Sequence, residues 1–97
     1  MAVTRAIQRD ARALGADLTT WRKLLGYTTV QVAERAGISR PTLAKIEHGD
    51  ASVGLGAVLA VARVLGVTDR LLAAADPYET ELGRASAERT LPERVRR

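Results

Sequence analysis

Residues 33–49 read AERAGISRPTLAKIEHG, and this stretch decides the fold. Two helix-forming runs, AERA and RPTLAKIEH, are separated by Gly37-Ile38-Ser39, and Pro41 stands almost at the mouth of the second. A glycine after Ala36 can take the left-handed conformation that closes a helix. Ser39 is suited to cap a new helix, and Pro41 then falls in its first turn, where a missing N–H costs no ladder bond. The pattern predicts a helix from about Thr29 to Ala36, burying Val32, Ala33 and Ala36, then a tight turn with Ile38 facing the core. A further helix follows from Arg40 to His48. Helices this short are not stable alone, so both must be held by neighbours.

Outward from this stretch the same rule recurs: Gly26, Gly37, Gly49 and Gly66 each close a helix-like run. Upstream, Ile7, Ala11, Leu14, Leu18, Trp21 and Leu25 alternate at steps of three and four, one apolar stripe. They predict a first helix from about Thr4 to Leu25, with a break allowed at Gly15. Downstream, DASVG is a turn, and Leu55 to Leu65 forms a fourth helix on Leu55, Val58, Leu59, Ala62 and Leu65. Val61 and Val64 lie off that face, an arc wide enough to pack on two neighbours. Thr68 is then placed as the cap of a short helix, DRLLAAA, which Asp76-Pro77 ends. The remainder, through ETELGRASAERTLPERVRR, is charged and poor in large apolar groups, and composition makes it a disordered tail. With no strand and no internal repeat, the fold class is all-α. Residues 1–76 form one domain with its motif at about 29–48, and 77–97 form a charged C-terminal tail.

The totals agree with this class. Ninety-seven residues suit one small domain, and with Trp21, Tyr27 and Tyr78 as the only aromatic residues its core must be aliphatic. Cysteine is absent, which removes disulfides and thiolate metal sites. No apolar run is long enough to span a membrane, and the N-terminal stretch is amphipathic, so a cytoplasmic location is expected. The net charge of +4 suggests an anionic partner. Residues 1–26 carry five basic and two acidic side chains, whereas 27–53 carry three of each. The excess therefore lies outside the opening stretch.

Read at about 100° per residue, the third helix turns Leu43, Ile46 and Glu47 inward and Pro41, Lys45 and His48 outward, with Arg40, Thr42 and Ala44 on its flanks. Arg40 and Lys45 carry the side chains best suited to guanine O6 and N7. Thr42 and the Ser39-capped N-terminus suit phosphate oxygens, as do Thr28 and Thr29 at the opening of the second helix. His48 reads as a phosphate-facing or solvent residue. Two short helices joined by a glycine-containing turn match the helix-turn-helix signature; an ordinary helical corner is the competing interpretation.

LGADLTTWRKLLGYTTVQVAERAGISRPTLAKIEHG, with LGAVLAVARVLGV after it, resembles the Cro/cI or Xre type of helix-turn-helix over about Leu14 to Leu72. The shared features are an L-G pair opening helix one, an arginine four residues before a glycine, A-x-x-A-G-[IV]-S across the turn and [IL]-x-x-[IL]-E-x-G at the end of the recognition helix. The resemblance implies a five-helix, lambda-repressor-like DNA-binding domain whose third helix lies in the major groove, and a homodimer on a two-fold symmetric double-stranded operator. It also implies a structural ion pair between Arg22 and Glu47. Base contacts carry over to Arg40, Pro41, Ala44 and Lys45, and phosphate contacts to Thr29, Thr42 and the turn after Gly49.

The chain departs from that family at three positions. Threonine stands at Thr29 where glutamine is frequent, Pro41 occupies a usual base-reading position, and Asp50 follows Gly49 where basic residues are common. A finer resemblance, in HGDASVGLGAVLAVARVLGV and the terminal LPERVRR, is to the small antitoxins of HipA-type toxin–antitoxin modules. It implies an autorepressor with a HipA-like kinase toxin as partner. A stand-alone Xre-type repressor is the alternative, and so is a protein-interaction module that retains the fold. Catalysis is not expected, because His48 is the only histidine and no convergent set of polar groups accompanies it. No metal and no cofactor are expected either.

Overall fold

A computed structural model describes residues 2–90. It is all-α, with α1 (Arg5–Leu24), α2 (Thr29–Ala36), α3 (Arg40–Glu47), α4 (Leu55–Leu65), α5 (Thr68–Ala75), a 3-10 turn (Pro77–Glu79) and α6 (Glu81–Thr90). The four glycines at positions 26, 37, 49 and 66 have φ between 70° and 80°, the left-handed region that lets a helix end without a Cβ clash. The core gathers Leu18 from α1, Val32 and Ala33 from α2, Leu43 and Ile46 from α3, and Val61, Ala62 and Leu65 from α4, with Val67 beneath α5. Ile38, Trp21 and Tyr27 pack against it from the turns and from α1.

Two crossings fix α3. Gly15 does not interrupt α1; it is buried in mid-helix. A Cβ there would collide with the carbonyl oxygen of Ile46 and stand 2.8 Å from that of Glu47. The helix thus accepts the conformational cost of glycine because the α3 backbone passes directly over it. The second crossing is polar. Arg22 donates from Nε to Glu47 Oε2 at 2.7 Å and from a terminal nitrogen to Oε1 at 3.2 Å, while its other terminal nitrogen reaches the Tyr27 carbonyl at 3.1 Å. The two side chains are only 13% and 12% exposed. One guanidinium therefore ties α1, the α1–α2 turn and the end of α3 together.

Four expectations need correction. α4 turns about one residue from the expected face: Val61 is buried, whereas Leu55 and Leu59 are exposed. It contacts α2 above all, and also α1, α3 and α5, and α2 sets the rotation that an all-apolar sequence left open. Ile7 and Leu14 lie on the expected stripe of α1, but they line an open groove with Leu55 and Val58 and are not sealed in the core. Thr68 is the first residue of α5 and not its cap; Val67 takes that place, and the buried Thr68 hydroxyl has no hydrogen-bond partner among the described residues. Finally, residues 81–90 are helical where composition predicted a disordered tail. Thr80 accepts from the Gly83 amide and donates to the Pro77 carbonyl, so α6 starts on a made cap, and it packs on the 3-10 turn. The terminal LPERVRR lies outside the described residues.

These crossings give two tests. Gly15→Ala should destabilise the fold by about 1–3 kcal/mol or more, since backbone must move to admit the methyl group. Gly56→Ala, at an open helical position, should stabilise it by roughly 0.5–1 kcal/mol. Urea unfolding of the two variants beside the parent checks both signs. Breaking the ion pair from one side, with Glu47→Gln or Arg22→Met, should cost roughly 3–5 kcal/mol, and Arg22→Met with Glu47→Leu should recover much of the loss. A double variant as unstable as the sum of the singles would show that the two charges act independently.

Candidate nucleic-acid interface

The outward side of α3 is built by its cap and its buried side. Ser39 accepts from the Thr42 amide at 3.1 Å, and Pro41 follows in the first turn. Leu43 and Ile46 anchor the helix to the core, which leaves Arg40, Pro41, Ala44 and Lys45 exposed. Arg40 and Lys45 make no ion pair among the described residues. This face presents two cations outside any close ion pair, a proline ring and a methyl group, which can bond to a guanine edge and touch a thymine methyl.

The hydroxyls divide more sharply than residue type suggests. Ser39 donates its proton to Thr42 Oγ1 at 2.9 Å while accepting from the Thr42 amide. Its donor is thus taken by the cap, and Thr42, half-buried, keeps the free hydroxyl proton of the pair. At α2, Thr28 Oγ1 accepts from the Gln31 amide at 3.1 Å, and Gln31 Oε1 accepts from the Thr28 amide at 2.9 Å, a reciprocal capping box. Thr28 retains its hydroxyl proton. Thr29 is exposed, and neither its amide nor that of Val30 has a backbone partner among the described residues. Gln31 was missed in the sequence, although Thr28-x-x-Gln31 is itself the capping-box signature.

His48 caps the end of α3, and its Nδ1 lies 2.7 Å from the Ala44 carbonyl. A carbonyl acceptor at that position assigns a proton to Nδ1, on a side chain that is exposed. Beyond it, Asp50 accepts from both the amide and the hydroxyl of Ser52, at 2.9 and 2.6 Å. These bonds, with Lys45 nearby, hold its carboxyl below the usual carboxylate range, so it is charged at neutral pH. Asp50 shapes the α3–α4 turn, but it offers repulsion, not attraction, to a phosphate there.

Elsewhere, the Arg35 guanidinium lies 4.6 Å from the centre of the Tyr27 ring and Arg70 lies 5.6 Å from that of Trp21, so these two cations cover core aromatics. No helix among the described residues is long and apolar enough to cross a membrane. No group of three or more metal-ligating side chains is assembled among them.

Comparison with curated proteins and with solved structures returns no match. A family model described as a helix-turn-helix domain matches residues 13–75, which run from the middle of α1 to the end of α5. That span is well over half of the chain and contains the α2–turn–α3 unit, so the chain belongs to the helix-turn-helix domain family.

Proposed function

We propose that this protein is a sequence-specific DNA-binding transcriptional regulator that lays α3 in the major groove and binds a two-fold symmetric operator as a homodimer. The observation that carries this is the exposed side of α3, where Arg40 and Lys45 stand unpaired beside Pro41 and Ala44. In this arrangement Arg40 and Lys45 read base edges, and Pro41 and Ala44 make apolar contact. Thr28, Thr29 and Thr42 donate to phosphates, with His48 at the far end of the helix. Ser39 acts through Thr42, as its cap. Exposed Leu55, Leu72 and Leu82 supply apolar surface for a second copy. The finer role is that of an autorepressing antitoxin in a toxin–antitoxin module with a HipA-like kinase as partner. It rests on the resemblance of residues 48–67 and of the terminal segment to such antitoxins.

A gel-shift on the chain's own promoter fragment and on unrelated duplexes, at two salt concentrations, tests the reading. Preference for the promoter and a steep loss of affinity with salt are expected. Equal affinity for every fragment would remove the specific regulator and favour a protein-interaction module, a role that the neutral charge of residues 27–53 and Asp50 suit. Lys45→Ala should cost about 1–3 kcal/mol and relax preference at one base position. Thr29→Ala should weaken all sequences alike, and an unchanged preference profile in Lys45→Ala would mean that α3 is seated differently. For the antitoxin role, co-purification with the product of an adjacent kinase-like reading frame is the expected result. The absence of any such frame leaves a stand-alone repressor.

A further inference from the structure

The first two turns of α1, residues 5–12, lie before the stretch that matches the helix-turn-helix family. They carry Arg5, Arg9 and Arg12, spaced i, i+4 and i+7, which places the three side chains within an arc of roughly 60° on one flank of the helix. All three are exposed. The single ion pair among the described residues is Arg22–Glu47, so none of the three is neutralised. The acidic residues of α1 lie elsewhere on the wheel, and Asp10 faces the apolar groove beside Leu14, Leu55 and Val58. Arg5 moreover opens the helix at the end whose dipole disfavours cations, and the first turn has no acidic residue. The stripe does nothing for the stability of its own helix.

Its position relative to α3 is tightly defined. Gly49, just past the end of α3, lies so close to the Arg12 backbone that a Cβ would stand 2.6 Å from the Arg12 nitrogen. Arg12 and Gln8 line one hollow together with His48, Asp50 and Ser52. His48 is on the outward side of α3, one turn beyond Lys45. The arginine stripe therefore begins where the exposed side of α3 ends. From Arg12 to Arg5 it runs about 10.5 Å at 1.5 Å per residue. That is close to the axial rise of three nucleotide steps of one strand, at roughly 3.4 Å each, a span that takes in about four successive phosphates.

We propose that Arg5, Arg9 and Arg12 form a second DNA-binding surface, a backbone clamp that grips consecutive phosphates flanking the site occupied by α3. This rests on the DNA-binding reading of α3 and adds to it where the affinity comes from. The motif region is neutral and holds Asp50 against the backbone, whereas residues 1–26 carry five basic and two acidic side chains. The clamp places that excess beside the carboxylate it has to outweigh. It reads no base, so it acts equally on every sequence.

The test is Arg5→Gln with Arg9→Gln. Both residues lie away from Gly49, and thermal melting confirms that the fold is kept. Promoter and unrelated duplexes are titrated at several salt concentrations. We expect the double variant to lose roughly tenfold in affinity on both duplexes at low salt, and to show a shallower dependence of log K on log salt, by about 0.9 for each contact removed. Arg5→Lys with Arg9→Lys should stay close to the parent. Parental affinity and salt slope in the glutamine variant, with α3-dependent binding intact, would overturn the clamp alone and assign the stripe to an acidic protein surface. A shift in preference between duplexes would overturn its sequence-blind role. A parent chain that binds no duplex would overturn both the clamp and the reading of α3.

Discussion

Arg22 is the point at which α1, the α1–α2 turn and α3 meet. Its guanidinium uses both faces of its fork: two nitrogens on the Glu47 carboxylate and a third on the Tyr27 carbonyl. The need for such a contact follows from length. α2 and α3 have eight residues each, below the size at which a helix persists alone, and α3 buries only Leu43 and Ile46 fully. Apolar burial would hold α3 down without fixing its direction, because it is non-directional. A bidentate ion pair specifies angle as well as proximity. Gly15 supplies the steric half of the constraint by letting the α3 backbone lie almost on α1.

With its inner side fixed twice, α3 is free to devote its remaining surface to a partner. Arg40, Pro41, Ala44 and Lys45 are displayed on a helix that cannot roll without breaking the Arg22 contact or driving Ile46 out of the core. The cap hydroxyls show the same economy. Ser39 gives its proton to Thr42 and accepts from the Thr42 amide, so the cap residue ends the turn and the residue three positions on carries the free donor. At the other helix mouth the allocation differs, because the α2 capping box leaves the cap residue Thr28 its own hydroxyl proton.

Much of this was legible because it is local. Glycine at a helix end, serine before a proline-bearing first turn and the three-four spacing on α1 each report a backbone requirement that its own residue satisfies. What escaped depends on neighbours. α4 is apolar on nearly all sides, so periodicity could not say that Val61 would be inside and Leu55 outside until α2 was packed against it. Gly15 looked like a weak point of a helix, and only the carbonyls of Ile46 and Glu47 explain it. α6 was hidden by charge, although Thr80, Glu81 and Arg89 sit where a helix wants a cap, an acid at its start and a base at its end. At the interface, residue types were readable and proton allocation was not: nothing in the order of residues says that Ser39 has no donor left.

The same distinction bears on charge. Counted by residue, the motif is neutral, and Asp50 stands where a phosphate-binding turn would place a base. Its carboxylate accepts twice from Ser52 and so contributes to the short link between α3 and α4. Replacing it by a lysine would remove a repulsion and also the two Ser52 bonds, leaving the backbone bonds of the turn from Asp50 to Lys45 and from Val53 to Asp50. With an anion at that point in this chain, an adjacent element can add electrostatic attraction beside it. α1 is the one whose backbone touches that turn, through Arg12 against Gly49. The eight residues of α1 that precede the family match are thus where compensation can be added without disturbing the motif. That is where the unpaired arginines lie.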